Sequence, residues 1–136
     1  MNETKQILRS LKIKATPGRV KILQVLSSAK RPVSIKDIGK AIGLKAVDQA
    51  TIYRNLEIFR NLGLAKRVDF RKEQAYYELV GPDHHHLVCT RCGLVEKFTG
   101  CNFGAISKAA LKQSRRFSQI NEHSLELFGL CKSCSK

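Results

Sequence analysis

Apolar residues recur at helical spacing through the first sixty positions and then change to alternation. Ile7, Leu8 and Leu11 predict a short amphipathic helix over residues 3–12. Thr16-Pro17 is a helix start, a hydroxyl cap followed by proline at the first helical position, and Val20, Ile22, Leu23, Val25 and Leu26 carry that helix to Ser28. Ser34 caps a third helix, with Asp37 in its first turn, Ile35, Ile38, Ala41 and Ile42 as apolar positions, and Gly43 ending it. Asp48 caps a fourth, whose stripe is Ile52, Leu56, Phe59 and Leu62, with Gly63 as the stop. Residues 64–69 and 75–79 then read as two strands around a polar turn. Helices followed by a basic hairpin is the order of a winged helix. Gly81-Pro82 breaks the chain, which predicts domains 1–80 and 81–136. In the second, residues 85–89 and 94–98 read as strands, 103–114 as a helix, and 118–130 as a strand pair or one long strand. The expected class is α+β, a winged helix followed by a small α/β domain.

Charge sharpens this picture. The 136 residues carry 25 Lys+Arg against 11 Asp+Glu, a net +14. Residues 1–80 hold seventeen of the basic and seven of the acidic residues, so most of the excess lies in the front part. A polyanion partner follows, with nucleic acid the commonest. No apolar run reaches membrane-span length, and the polar N-terminus lacks the apolar stretch of a secretory signal, so a cytoplasmic protein is expected.

The cysteines bring in chemistry. Cys89-x-x-Cys92-Gly93 and Cys131-x-x-Cys134 are two C-x-x-C pairs separated by 38 residues. Zinc prefers four thiolate or imidazole ligands in a tetrahedron, and two such turns complete a closed structural site. A dithiol oxidoreductase is the rival, but its motif opens a helix after a buried strand, whereas these pairs sit in basic turns. The second part holds only 56 residues, so its folding should depend on the metal.

Three segments resemble one family. Ala50-Thr51-Ile52-Tyr53-Arg54-Asn55-Leu56 is similar to the recognition helix of the ferric uptake regulator family. His84-His85-His86-Leu87-Val88-Cys89-Thr90-Arg91-Cys92-Gly93 resembles its histidine-cysteine signature. His123-Ser124-Leu125 with Gly129 and Cys131-x-x-Cys134 resembles its closing segment. The likeness spans nearly the whole chain, in order. It implies a homodimeric, metal-responsive repressor acting on pseudo-palindromic double-stranded operator DNA, built as a winged helix plus a dimerisation domain.

A helix can lie in the major groove with outward side chains at base edges. Gln49, Thr51, Tyr53, Arg54 and Asn55 lie outside or beside the buried stripe, and Lys66, Arg67, Arg71 and Lys72 make a basic wing. The resemblance assigns DNA contact to Tyr53, Arg54, Lys14 and Arg19.

On a strand, His84 and His86 point one way and His85 the other, so three histidines can serve two sites. The resemblance implies a regulatory set of Glu78, His84 and His86, and a second set of Asp83, His85 and His123 plus an acidic residue. The chain departs from the family at telling places. Pro32 stands where a histidine is usual, Lys97 where an acid is usual, and Gly104 near the second site's acid. The regulatory set would then be empty or weak, or rebuilt from Glu78 or Glu96, while Cys101 is a candidate thiolate for the second. Two imidazoles and a carboxylate suit Fe(II), Zn(II) or Mn(II) alike. A peroxide- or thiol-gated regulator, and a constitutive DNA binder with structural zinc alone, are the alternatives. No acid/base constellation for a hydrolase is evident, so no enzymatic activity is expected.

Overall fold

The computed structural model describes residues 2–43 and 47–136. The chain divides into two compact units, the first ending at Gly81 and the second beginning at Pro82.

The first unit contains α1 (Asn2–Ser10), α2 (Pro17–Ser28), β1 (Val33–Ser34), α3 (Ile35–Ile42), α4 (Gln49–Asn61), β2 (Ala65–Val68) and β3 (Tyr76–Leu79). The helix starts form where polar side chains satisfy the first exposed amides. Thr16 accepts from the Arg19 amide at 3.3 Å, and Asp48 from the Thr51 amide at 2.8 Å. Ser34 and Asp37 form a reciprocal capping box with both bonds at 3.1 Å. α4 ends in a Schellman turn: Gly63, at φ +75°, donates to the Arg60 carbonyl, and Leu64 to that of Phe59.

One face of each helix is apolar and these faces meet. Leu8, Ile22, Leu23, Ile38, Ile52, Leu56, Phe59 and Tyr77 are all buried in a single cluster. Each fully buried aliphatic or aromatic side chain contributes about 1.5–3 kcal/mol. β2 and β3 pair antiparallel, with Ala65 opposite Leu79 and Val68 opposite Tyr76, which builds the wing hairpin. β1 is a two-residue strand pairing with β3, too short for its alternation to be read from sequence.

The second unit contains β4 (His85–Cys89), β5 (Val95–Phe98), α5 (Phe103–Gln113) and β6 (Glu126–Gly129). Its sheet has the order β5-β4-β6, with β4 antiparallel to β5 and parallel to β6. The strand expected over 118–130 is only Glu126–Gly129. Residues 115–123 alternate no apolar side chains and make no ladder, so pairing begins where Leu125, Leu127 and Phe128 supply an apolar pattern. α5 buries none of its residues, and Leu87, Leu94, Leu127 and Leu130 are exposed. No helix of the described residues is long and apolar enough to cross a membrane.

Candidate metal centres and nucleic-acid interface

The four sulfurs of Cys89, Cys92, Cys131 and Cys134 lie within 4.8 Å of one another. The knuckle after β4 turns at Gly93, at φ +81°, whose amide donates to the Cys89 carbonyl at 3.0 Å. The closing knuckle turns as Cys134 and Ser135 both donate to the Cys131 carbonyl. Arg91 clamps the two knuckles by donating to the Cys134 carbonyl at 3.1 Å. Cys92 Sγ and Cys131 Sγ stand 3.7 Å apart. A zinc tetrahedron with bonds of about 2.3 Å has edges of about 3.8 Å, so the donor set fits Zn(II). The electrostatics agree. The Cys92 amide and then the Cys131 amide donate to Cys89 Sγ and hold its thiol down to about 5. Hydrogen bonding to Cys131 and then burial push Cys134 up to about 12. Four crowded sulfurs cannot all ionise without a cation among them.

A second cluster joins His85, Cys101 and His123, again with ligand atoms within 4.8 Å. The two Nε2 atoms are 3.1 Å apart, and Asp83 oxygens lie 3.7 Å from His85 and 3.6 Å from His123. His85 is held by Phe98, and His123 is stacked on Phe103 with centroids 4.1 Å apart. These two aromatic supports carry no sequence signal beyond their place near the strand and helix ends. Two imidazoles and a thiol bring three donors together, with the Asp83 carboxylate beside both rings, and a thiolate among the donors favours Zn(II) over harder cations.

His84 and His86 come together separately, with ring centroids 5.0 Å apart and edge to face. His86 is 1% exposed and His85 4%, although they are adjacent, because they take opposite faces of β4. Glu78 lies in the first unit on β3, nearly buried, with its carboxylate 3.4 Å from Lys66 Nζ.

In the first unit, α4 exposes Gln49, Tyr53 and Arg54 on one side. Thr51 is half-buried and accepts from Arg54 Nη2 at 3.1 Å, steadying that guanidinium. Lys14, Arg67 and Arg71 are exposed, and Arg71 sits at the hairpin tip with φ +59°, its amide held by Asp69 at 2.7 Å.

The sequence profile of the Ferric uptake regulator family matches residues 10–128. The chain belongs to the ferric uptake regulator family. Its relatives include the peroxide operon regulator of Bacillus subtilis, 31% identical over 140 residues that cover 99% of this chain and 95% of that one. The ferric uptake regulator of Pseudomonas aeruginosa, solved with manganese, is 34% identical, covers 95% of this chain and 98% of its own, and superposes with TM-score 0.69. The Vibrio cholerae ferric uptake regulator is 30% identical, covers 93% and 98%, and superposes with TM-score 0.75.

Two local expectations change. Asn55 is buried rather than on the reading face. Its amide accepts from Arg19 Nε at 3.0 Å and donates to the Thr51 carbonyl at 3.0 Å. Arg19 also donates to the Lys14 carbonyl at 3.0 Å, so Asn55 and Arg19 together tie the loop before α2 to the reading helix. The i, i+3, i+4 spacing of Asn55 from Ile52, Thr51 and Phe59 places it beside the buried stripe, and an internal partner 36 residues away turns it inward. Glu96 does not rebuild the regulatory set: it shares a rung with Leu87, on the opposite face of the sheet from His86. Pro32 is fully buried and has no donor to offer. A residue that sequence reasoning passed over, Glu126, stands instead beside His86.

Proposed function

We propose that this regulator represses transcription as a homodimer that binds pseudo-palindromic operator DNA when a divalent metal occupies a histidine site in its second unit. One observation carries the reading. β4 presents His85 and His86 on opposite faces, both deeply buried, each beside a different set of donors and both apart from the four cysteines. Burying imidazoles on both faces of so small a sheet is costly unless they bind something.

In this reading Zn(II) is held by Cys89, Cys92, Cys131 and Cys134 and closes the second unit. His84 and His86 are the regulatory ligands for Fe(II), Mn(II) or Zn(II). Asp83, His85, Cys101 and His123 form the second set. A bound cation supplies positive charge and fixed coordination directions; the chain supplies the reading surface. Gln49, Thr51, Tyr53 and Arg54 meet base edges, with Arg54 suited to a bidentate contact with guanine. Arg67, Arg71, Lys14 and Arg19 meet phosphates, and Asn55 serves through Arg19. The exposed apolar sheet face around Leu87, Leu94, Leu127 and Leu130 suits a second copy of the chain. The protein works in the cytoplasm, where its DNA is, and performs no catalysis.

A second reading rests on Cys101 beside His85 and His123. A peroxide would take two electrons from the Cys101 thiolate, giving a sulfenic acid and hydroxide, and the cluster would lose a donor.

The test is DNA binding by the zinc-loaded protein, titrated with Fe(II), Mn(II) and further Zn(II) without oxygen at fixed salt. One metal should tighten binding at least tenfold, about 1.4 kcal/mol of coupling. Affinity indifferent to every metal would overturn the sensor reading. Loss of binding on peroxide, retained in Cys101→Ser, would favour the thiol gate.

A further inference from the structure

His86 stands between two charged neighbours on its rung of the sheet. Across the antiparallel pair its partner is Lys97 on β5, and across the parallel pair it is Glu126 on β6. Side chains on one rung share a face. Glu126 turns to the ring: its Oε1 lies 3.2 Å from His86 Nδ1, with the carboxylate side chain 13% exposed and the imidazole 1%.

That contact sets a tautomer. An ionised carboxylate only accepts, so the proton of a neutral His86 sits on Nδ1 and the lone pair on Nε2. His84 arrives at the same arrangement by another route. Its Nδ1 is 3.0 Å from the Pro82 carbonyl, which also only accepts. Two rings 5.0 Å apart therefore both hold Nδ1–H and both present Nε2 as the donor nitrogen. A metal-ligating histidine is ordinarily fixed in this way, one nitrogen on the ion and the other donating to a carboxylate or carbonyl that orients the ring and strengthens the donor. Here the pair uses one of each.

We propose that Glu126 is the positioning residue of the histidine site, holding His86 in the Nδ1–H tautomer and aiming Nε2 at a divalent cation without ligating it. The proposal rests on the reading of His84 and His86 as regulatory ligands. The carboxylate behind His86 also makes its donor nitrogen stronger than that of His84, whose support is a neutral carbonyl. Substitutions at Glu126 thus act on affinity, while removal of a ligand acts on the existence of the site.

The experiment uses full-length, zinc-loaded protein as wild type, Glu126→Gln, Glu126→Leu and His84→Ala. Long-range proton–nitrogen NMR reads the His86 tautomer in the absence of added metal, and Mn(II) titration reads affinity. The wild-type ring should be Nδ1–H. Glu126→Gln keeps an acceptor oxygen, so it should preserve the tautomer and weaken Mn(II) binding several-fold. Glu126→Leu should mix the tautomers and weaken binding about 10–100-fold. If His84→Ala weakens Mn(II) binding while both Glu126 variants match wild type in tautomer and affinity, the histidine site stands and the role of Glu126 is overturned. If His84→Ala binds Mn(II) as wild type does, the histidine reading itself fails and this proposal falls with it, whatever the tautomer. Should Glu126→Leu lose its zinc, the near-isosteric Glu126→Gln still decides.

Discussion

The two units are held together by different physics. The first buries a continuous cluster from Leu8 to Tyr77, with apolar faces of four helices and a hairpin contributing. In the second, Val88 and Cys89 are the buried apolar residues among those described, α5 buries nothing, and the most deeply buried polar residues are His85 and His86. One unit folds by removing hydrocarbon from water. The other gathers metal donors and leaves its apolar sheet face to be covered by something else. A small unit without an adequate core needs a staple, and the four sulfurs supply its place. The lesson is that the first unit stands on its own core, while the second has stability conditional on what it binds.

The largest expected effect tests that contrast directly. Cys131→Ser with Cys134→Ser, or removal of zinc by a strong chelator, should unfold the second unit altogether while the first keeps its dispersed NMR spectrum. A second unit that stays folded without zinc would break the comparison. Next, Phe59→Ala should destabilise the first unit by about 3–5 kcal/mol and leave zinc affinity unchanged, read by denaturant unfolding beside zinc competition. Zinc affinity moving with it would show the units to be coupled. Arg54→Ala should weaken operator binding by about 1–3 kcal/mol and relax base preference, whereas Arg67→Ala should cost all sequences alike and reduce the salt slope by about 0.9. Equal behaviour of the two variants would merge the reading helix and the wing into one electrostatic surface.

The smallest effect concerns the start of α4. The Thr51 amide, donating to Asp48, holds its carboxyl below the ordinary value. Its folded-state affinity for a proton is therefore lower than in the unfolded chain. The associated stability is fully present above the unfolded value of about 3.9 and is lost as pH falls through the folded value. Asp48→Asn keeps the cap without the charge, so it should remove a small part of the acid sensitivity of the first unit, seen in thermal unfolding between about pH 5 and about pH 2. An unchanged acid profile would assign the sensitivity to other carboxylates.

Much of the first unit was legible because its signals are local. Thr16-Pro17, Ser34 with Asp37, Asp48 and Gly63 act on amides and carbonyls three to five residues away, and the structure shows each making those bonds. The strand expected across 118–130 was overextended because β6 is defined by its partner β4, forty positions earlier, and not by its own flanks. At the candidate sites, the paired cysteines were legible from their spacing, and Cys101 was a candidate donor for the set of His85 and His123, whose ligand atoms lie within 4.8 Å of its own. Glu126 had one faint signal, a lone charge between Leu125 and Leu127. Asn55 had its place beside the buried stripe, but its inward turn depends on Arg19, which lies on another helix.

By itself, then, the sequence determined the order of the helices and the hairpin, the capped helix starts, the four-sulfur zinc set, the excess of positive charge and membership in the ferric uptake regulator family. Each of these depends on residue type and on neighbours close along the chain. The tertiary structure alone decided which way Asn55 turns, that Glu96 faces away from His86, and that Glu126 stands behind His86. These depend on strand register and helix packing between segments tens of residues apart, where a shift of one position exchanges the two faces of a strand.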